Sequence, residues 1–265
     1  MKKYLLFSIF CLSLLTTCSK VPITNRSQFT ALPESQMIGM ALQEYQHFVD
    51  STGVVNNSSD AQMVKRVGSR LATAVEKFMN DNKMGDRVKD FKWEYNLVQS
   101  NEINAWCIPG GKIVVYTGIL PVTQNETALA VVLGHEIAHA VARHGNERMS
   151  QGLAAQLGGV ALDVALSNKP AATRNLFLTA YGVGANYGVL LPYSRLQESE
   201  ADKLGLIFMS MAGYNADEAV PFWQRMASLG GAAPPEFMST HPSNERRIKD
   251  IQAYLPKAKS YYKAQ

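Results

Sequence analysis

Residues 123–145 read TQNETALAVVLGHEIAHAVARHG, and this stretch determines the core of the fold. Thr123 and Glu126 have the spacing of a capping box, which predicts the start of a helix, and Gly145 predicts its end. Apolar residues occur on nearly every side of this predicted helix, so we expect it to be buried. The ionisable side chains in the H-E-I-A-H run at 135–139 stand out against that background, because burying such groups is unfavourable unless they have partners.

His135 and His139 are four residues apart and therefore share one face of the predicted helix, where both imidazoles can bind one metal ion. Zinc takes neutral histidine nitrogens at about 2.0–2.1 Å, and a catalytic zinc site keeps one position open for water. Glu136 is rotated by about a hundred degrees from His135, close enough to accept a proton from such a water. The competing interpretation is three buried polar groups satisfied by neighbouring protein atoms.

A second acidic motif follows at 198–202, Glu-Ser-Glu-Ala-Asp, on a helix that Ser194 is predicted to cap. Glu198 and Asp202 are four apart and share a face, so a carboxylate from this helix can complete the metal site. Asp202 can then accept the free ring N–H of a ligand histidine. We expect Glu200 to be a solvated surface charge, although spacing alone leaves open which of the two glutamates binds metal.

These motifs resemble the gluzincin family of the CAAX prenyl protease, HtpX and Oma-type zinc metallopeptidases, and with the N-terminal features below they are most similar to periplasmic LoiP-like lipoproteins. The family pattern joins H-E-x-x-H to E-x-x-A-D some sixty residues later. Two further segments match in the family's order: NAWCIPGG at 104–111 with YTG at 116–118, and STHPS at 239–243 with Arg246-Arg247-Ile248. The similarity covers about residues 30–255.

The resemblance implies a role for each matched residue. Glu198 would be the third zinc ligand and Asp202 its supporting carboxylate. His241 would approach the metal, either to stabilise the oxyanion or to cap zinc in a resting state, and Arg247 is a second candidate for the oxyanion. An edge strand would pair with substrate backbone by β-augmentation; its residues would be Asn104, Ala105, Trp106, Cys107 and Ile108. Cys107 departs from the aliphatic residue expected there, and is either a small core residue or a thiol near the site.

The predicted architecture is a single zincin-type α+β domain, mostly helical, with a small β-sheet whose edge borders the zinc cleft. Helical periodicity predicts helices over 34–49 and 60–79, and alternation predicts a strand from Phe91 followed by a hairpin around 109–111. Residues 152–191, rich in small and aliphatic residues, are interpreted as a helical hairpin, with the hypothesis that it serves as a lid.

The N-terminus predicts export. Two lysines precede an apolar run that is too short to span a bilayer as a mature helix. The run ends in Leu15-Thr16-Thr17-Cys18, which resembles a bacterial lipobox; the alternative is a plain secretory signal. We therefore predict a signal peptide at 1–18 with lipid on Cys18, a tether at 19–33, and the metallopeptidase domain at 34–265. The predicted location is the bacterial cell envelope, lipid-anchored at the periplasmic face of the outer membrane.

The amino-acid composition limits which kinds of binding partner the sequence predicts. Of the 265 residues 46% are hydrophobic and 18% charged, a globular composition. Without Lys2 and Lys3, 24 basic residues oppose 22 acidic ones, a net charge of +2, and no basic stripe predicts a nucleic-acid partner. Cys107 would be the one unmodified cysteine of the mature chain, so no internal disulfide is predicted.

The predicted function is zinc-dependent hydrolysis of internal peptide bonds in misfolded envelope proteins, with one Zn2+ per chain. The alternative is a zinc-stabilised chaperone or binding module that holds such proteins without cutting them. Both would bind metal, so they differ in whether Glu136 is needed for activity. The sequence predicts no oligomeric state.

Overall fold

The computed structural model describes residues 18–186, 190–229, 235–241 and 245–262. The predicted signal up to Thr17 and the Pro242-Ser243 pair of the closing motif lie outside these ranges. Helices predominate and strands are few, which confirms a mostly helical α+β fold of the zincin type. Among the described helices, none is both long and apolar enough to cross a membrane.

The described residues form two compact units, one made of Ser35–Ala142 with the residues from Glu198 onward, the other of the residues up to Glu34 with Arg143–Gln197. The elements of the first unit, in chain order, are α1 (Glu34–Ser51), β3 (Val54–Val55), α2 (Ser59–Asp81), β4 (Glu94–Val98), β5 (Ala105–Ile108), β6 (Lys112–Tyr116), α3 (Leu120–Thr123), α4 (Glu126–Val141), the later part of α7 (Leu191–Met211), α8 (Ala219–Ser228), α9 (Glu236–Thr240) and α10 (Glu245–Lys259). Those of the second are β1 (Cys18–Lys20), β2 (Ser27–Phe29), α5 (His144–Ala165), α6 (Ala171–Ala185) and the start of α7.

The sheet of the first unit has the strand order β3-β4-β6-β5, in which only β4 and β6 are parallel. The predicted hairpin joins β5 to β6. Gly110 and Gly111 make its turn with φ values of 96° and 84°, a region that favours glycine because it carries no Cβ. In the described sheet β5 is an edge strand, and α4 packs against it.

The helix α4 is buried along nearly all of its length, as predicted, since every residue from Ala128 to Val141 is buried. Its predicted ends were wrong by a few residues. Asn125, not Thr123, is the N-cap, and its side chain accepts a hydrogen bond from the Ala128 N–H. Thr123 ends the short α3 instead. At the other end Arg143 takes a left-handed conformation, so Gly145 lies inside the next helix.

The helix that carries the acidic motif also starts earlier than predicted. It begins at Leu191, so Ser194 lies within the helix and does not cap it. The other predicted helices appear close to their expected bounds, with Ser58 capping α2 through the Ala61 N–H. The predicted strand from Phe91 begins three residues later, at Glu94.

In the second unit, the predicted tether at 19–33 contains β1 and β2, which pair antiparallel. Arg26 ties this hairpin to α5 through two contacts with Glu147, of 2.6 and 2.8 Å. The helices α5 and α6 form the predicted helical hairpin, joined by an Asp163–Arg174 ion pair and by the Tyr181 hydroxyl, which donates to the Ala155 carbonyl at 2.9 Å. Large apolar side chains remain exposed along both helices: Met149, Leu153, Leu157, Val160, Val164, Leu176, Phe177 and Val183.

Candidate metal centre

The helix α4 brings its two histidines to one point. The Nε2 atoms of His135 and His139 lie 3.1 Å apart, and both side chains are almost inaccessible. Two imidazoles this close, with their nitrogens converging, fit a shared cation, since each nitrogen can then present its lone pair to the ion.

A close crossing of two helices brings in the acidic motif. Gly134 and Gly205 lie in backbone contact: a Cβ at Gly134 would come within 3.0 Å of the Gly205 carbonyl oxygen. Because neither residue has a side chain, α4 and α7 approach closely enough for Glu198 to reach the histidines. Sequence reasoning missed this pair, although an isolated glycine inside each apolar helix was a visible signal of close packing.

Glu198 places one carboxylate oxygen near each histidine. Its Oε1 lies 3.2 Å from His139 Nε2 and its Oε2 lies 3.3 Å from His135 Nε2. Glu200 does not belong to this cluster, but it is only 1% exposed, so the prediction of a solvated charge was wrong. The helix is buried on several faces, which spacing alone does not reveal.

His241 completes the cluster. Its Nδ1 lies 3.1 Å from His135 Nε2 and 2.9 Å from Glu198 Oε2. Together with His139 these side chains offer one ligand atom each within 4.8 Å of one another, an arrangement that could hold a metal ion. Ligands at the corners of a tetrahedron around zinc stand about 3.3 Å apart, close to the distances here. The donor set therefore fits a four-coordinate cation.

The electrostatics of the cluster also favour a cation. Burial alone would raise the pKa of Glu198, but the charge of His139 and hydrogen bonds from the histidines hold it far below its usual range. Burial alone would lower the pKa of His135, yet hydrogen bonds to Asp202 and Glu198 raise it to about 9. In both cases the buried carboxylates favour positive charge nearby, which a metal ion would supply in place of a proton.

Glu136 lies beside the donor set and outside it. Its Oε1 is 3.4 Å from His241 Nε2, and the side chain is 4% exposed. On the β5 side, burial and the charge of Glu136 raise the pKa of the Cys107 thiol well above its usual value. Cys107 is therefore held as a neutral thiol, which favours the interpretation as a small packing residue over a reactive one.

Asp202 contacts the His135 ring at Nδ1, and Arg247 in turn binds Asp202. The Nδ1 of His135 lies 3.0 Å from Asp202 Oδ1. Arg247 donates to both oxygens of the same carboxylate, at 2.9 and 2.7 Å, and to the backbone carbonyl of His241 at 3.1 Å. Burial alone would raise the pKa of Asp202, but the charge of Arg247 lowers it, so Asp202 stays an acceptor for the His135 N–H.

The candidate substrate strand lies next to this site. Asn104 precedes β5, and its carbonyl accepts the Tyr116 N–H at 3.1 Å. Trp106 packs edge-on to the rings of Tyr45 and Phe48, in a cluster that also includes Ile108. Within the described residues no further strand pairs with the outer edge of β5, so the backbone groups on that side, opposite β6, take no part in the hydrogen bonding of the sheet.

Comparisons with known proteins agree with the family that the motifs resemble. The model of peptidase family M48 matches residues 59–255. The mitochondrial metalloendopeptidase OMA1 of Schizosaccharomyces pombe is 33% identical over 243 residues, 90% of this chain and 66% of that protein. Its namesake in Saccharomyces cerevisiae is 30% identical over 272 residues, 98% of this chain and 76% of that protein.

A bacterial relative is also similar. The putative beta-barrel assembly-enhancing protease of Vibrio cholerae serotype O1 is 28% identical over 206 residues, which is 74% of this chain and 39% of that protein. The family match and the yeast relatives together cover nearly all of the described residues. The chain therefore belongs to peptidase family M48 and is a metalloendopeptidase.

Proposed function

We propose that the metal is one zinc ion per chain, held by His135, His139 and Glu198, and that Glu136 handles the proton in the hydrolysis of internal peptide bonds. The proposal rests chiefly on one observation: the donor atoms of these ligands lie 3.1 to 3.3 Å apart. Two buried histidine nitrogens with a carboxylate that places one oxygen near each of them suit zinc better than magnesium or calcium, which prefer oxygen ligands.

A bound zinc supplies a Lewis acid that polarises the peptide carbonyl and lowers the pKa of water. Glu136 then accepts a proton from the attacking water and passes it to the leaving amine nitrogen, which restores the carboxylate. Asp202 keeps the Nδ1 proton of His135 in place, so that Nε2 presents its lone pair to the metal. Arg247 aligns Asp202 and is turned toward it, which favours a supporting role for Arg247 over contact with the oxyanion.

With zinc bound, His241 would take the position that a catalytic water needs. With Nδ1 at 3.1 Å from His135 Nε2, it would be a fourth protein ligand, whereas a catalytic zinc site keeps that position open. We infer that this arrangement is a resting state, and that His241 must withdraw before water and substrate enter. The same movement would release Glu136 from its contact with the His241 ring.

The substrates we propose are misfolded envelope proteins. An unfolded segment can add to the outer edge of β5 through main-chain hydrogen bonds, which select extended backbone and little side-chain sequence. The name of the Vibrio cholerae relative refers to the assembly of β-barrel proteins, and this supports an envelope role. Residues 152–191 remain a proposed lid.

We also propose that the chain is attached to the periplasmic face of the outer membrane through lipid on Cys18. The support is the lipobox resemblance, together with the exposed apolar stripe of α5 and α6 in the same compact unit as Cys18. Exposed patches of this kind occur at membrane or protein contacts.

The deciding experiment compares the full chain, purified in detergent with zinc, with its Glu136→Gln variant on unfolded casein. We expect the parent to cleave casein, a chelator to stop it, and the variant to lose about 10²–10⁴-fold in rate while binding the same one zinc. A His241→Ala chain is assayed alongside, because a resting state would slow the parent. Zinc bound by all three chains without cleavage by any would favour the non-cleaving binding module.

A further inference from the structure

The aromatic residue Trp223 lies behind the metal ligands, on α8. It is 1% exposed, and an apolar aromatic on a helix face predicts nothing beyond core packing from sequence. In the structure it contacts charged and ligand side chains as well as apolar ones. The Cζ atom of Arg247 lies 3.5 Å from the centre of its ring, which is a cation–π contact.

Trp223 is also in contact with two other residues around the site. The ring of His135 lies nearly perpendicular to it, with the centroids 5.9 Å apart. The ring of Phe237 stacks on it at 5.8 Å, and Phe237 lies 4.9 Å from the ring of His241. Trp223 thus touches His135 directly and reaches His241 through one intervening ring.

The contact with Arg247 has the larger consequence. The edge donors of this guanidinium bind Asp202 and the carbonyl of His241, and Arg247 is 7% exposed. One face of the buried guanidinium lies against the indole π-system, and this cation–π contact stabilises its charge. Without the indole the guanidinium can tilt, and Asp202 loses the alignment that holds the His135 ring.

We propose that Trp223 is a positioning residue for the metal centre: it holds Arg247 flat against its ring, and through Arg247 and Asp202 it fixes the orientation of His135. This inference rests on the proposed zinc site. It concerns a residue that is not part of the donor set, and it predicts that metal affinity depends on the aromatic face of residue 223 more than on its volume.

The test measures zinc affinity directly, by competition with a chromophoric chelator, for the full chain and for Trp223→Phe and Trp223→Leu. Substitutions in groups that orient metal ligands weaken binding by about 10–100-fold, and we expect that loss for Trp223→Leu. Trp223→Phe keeps an aromatic face and should retain most of the affinity. The visible spectrum of the cobalt-loaded chains should change in the same order.

The matched control is Phe222→Leu, the neighbouring residue on α8, which is fully buried and in edge contact with Trp223. It removes a ring from the same core, so its unfolding temperature should fall about as much as that of Trp223→Leu while its zinc affinity stays near that of the parent. Equal affinity losses in Phe222→Leu and Trp223→Leu, or parental affinity in Trp223→Leu, would overturn the inference.

Activity separates this inference from the proposed function. If the parent binds zinc but cuts no protein, and Trp223→Leu still loses affinity, then the positioning role stands and the peptidase mechanism fails. If the parent cleaves casein and Trp223→Leu binds zinc as tightly as the parent, then the mechanism stands and the positioning role is wrong.

Discussion

Gly134 and Gly205 lie in backbone contact at the crossing of α4 and α7. A Cβ added to Gly205 would lie 2.8 Å from the His135 backbone nitrogen and 2.9 Å from the Gly134 carbonyl carbon. Contacts that short with backbone atoms require the helices to move apart, because backbone cannot rotate away as a side chain can. The crossing therefore sets the distance between the helix that carries the histidines and the helix that carries Glu198.

The Gly205→Ala variant should lose both stability and metal affinity. Overpacking at a fixed contact destabilises by about 1–3 kcal/mol, and any separation of the helices draws Glu198 away from His135 and His139. Chemical denaturation measures the first effect and chelator competition the second. The control is Gly152→Ala, a helical position in α5 where the added methyl group would have no neighbour within 4 Å; it should gain up to about 1 kcal/mol. A Gly205→Ala chain as stable as the parent would contradict the helix-spacing explanation.

The His241→Ala variant should cleave casein faster than the parent. If His241 closes the fourth position, removing it opens the site, and a tenfold rise in kcat/KM would correspond to about 1.4 kcal/mol of preference for the closed arrangement. Zinc should remain bound by the other three ligands. His47→Ala, at an exposed position on α1, serves as the control and should behave as the parent. A rate below the parent's would instead support the oxyanion role for His241.

The Arg26–Glu147 pair predicts a loss of stability in acid. Burial alone would raise the pKa of Glu147, but hydrogen bonds from Arg26 and Gln197 bring it below its usual range. In the unfolded chain the Glu147 carboxylate has its ordinary pKa, about 4.3, so it takes up a proton at a higher pH than in the folded chain. The contribution of Glu147 to the stability of the folded state is present above that pH. It is lost as the pH falls through the lower pKa that Glu147 has in the folded chain.

The measurement is the unfolding temperature of the parent and of Glu147→Gln between pH 7 and pH 3. At pH 7 the variant should be less stable by about 2–4 kcal/mol, because it leaves Arg26 without its charge partner, and the difference should shrink in acid. Asp163→Asn, which breaks the more exposed ion pair with Arg174, should change the unfolding temperature little. A difference that stays constant with pH would show that Glu147 acts through packing and not through its charge.

The Cys18→Ala variant should lose membrane attachment. Expressed with its natural N-terminus in an envelope-bearing bacterium, the parent should fractionate with the outer membrane and incorporate labelled palmitate, whereas the variant should do neither. Stable anchoring depends on several acyl chains, since one chain alone binds only weakly. If the variant without label stays with the membrane, the proposal that a lipid anchor attaches the chain is wrong. The next variant to test by fractionation is then Leu157→Asp, on the exposed apolar side of α5.

Local sequence patterns predicted most elements, because helical periodicity, strand alternation and the glycine turn at 109–111 depend on neighbouring residues alone. Helix ends were less predictable. Thr123, Ser194 and Gly145 each have the right chemistry for a cap or a stop, yet Asn125 caps α4 and the other two lie inside helices. Several residues near a boundary can satisfy the same backbone groups, and tertiary packing selects among them.

By itself the sequence determined the kind of site: the spacing of His135 and His139 places both imidazoles on one helix face, and Glu136 follows from the same geometry. Spacing alone left open whether Glu198 or Glu200 joins them, and the packing of the helices in the tertiary structure decided it. Glu198 reaches the histidines because two glycines let the helices touch, Glu200 is buried elsewhere, and Trp223 supports Arg247 from a helix with no motif. Contacts between distant segments depend on how whole helices pack, and the local spacing of residues does not determine that packing.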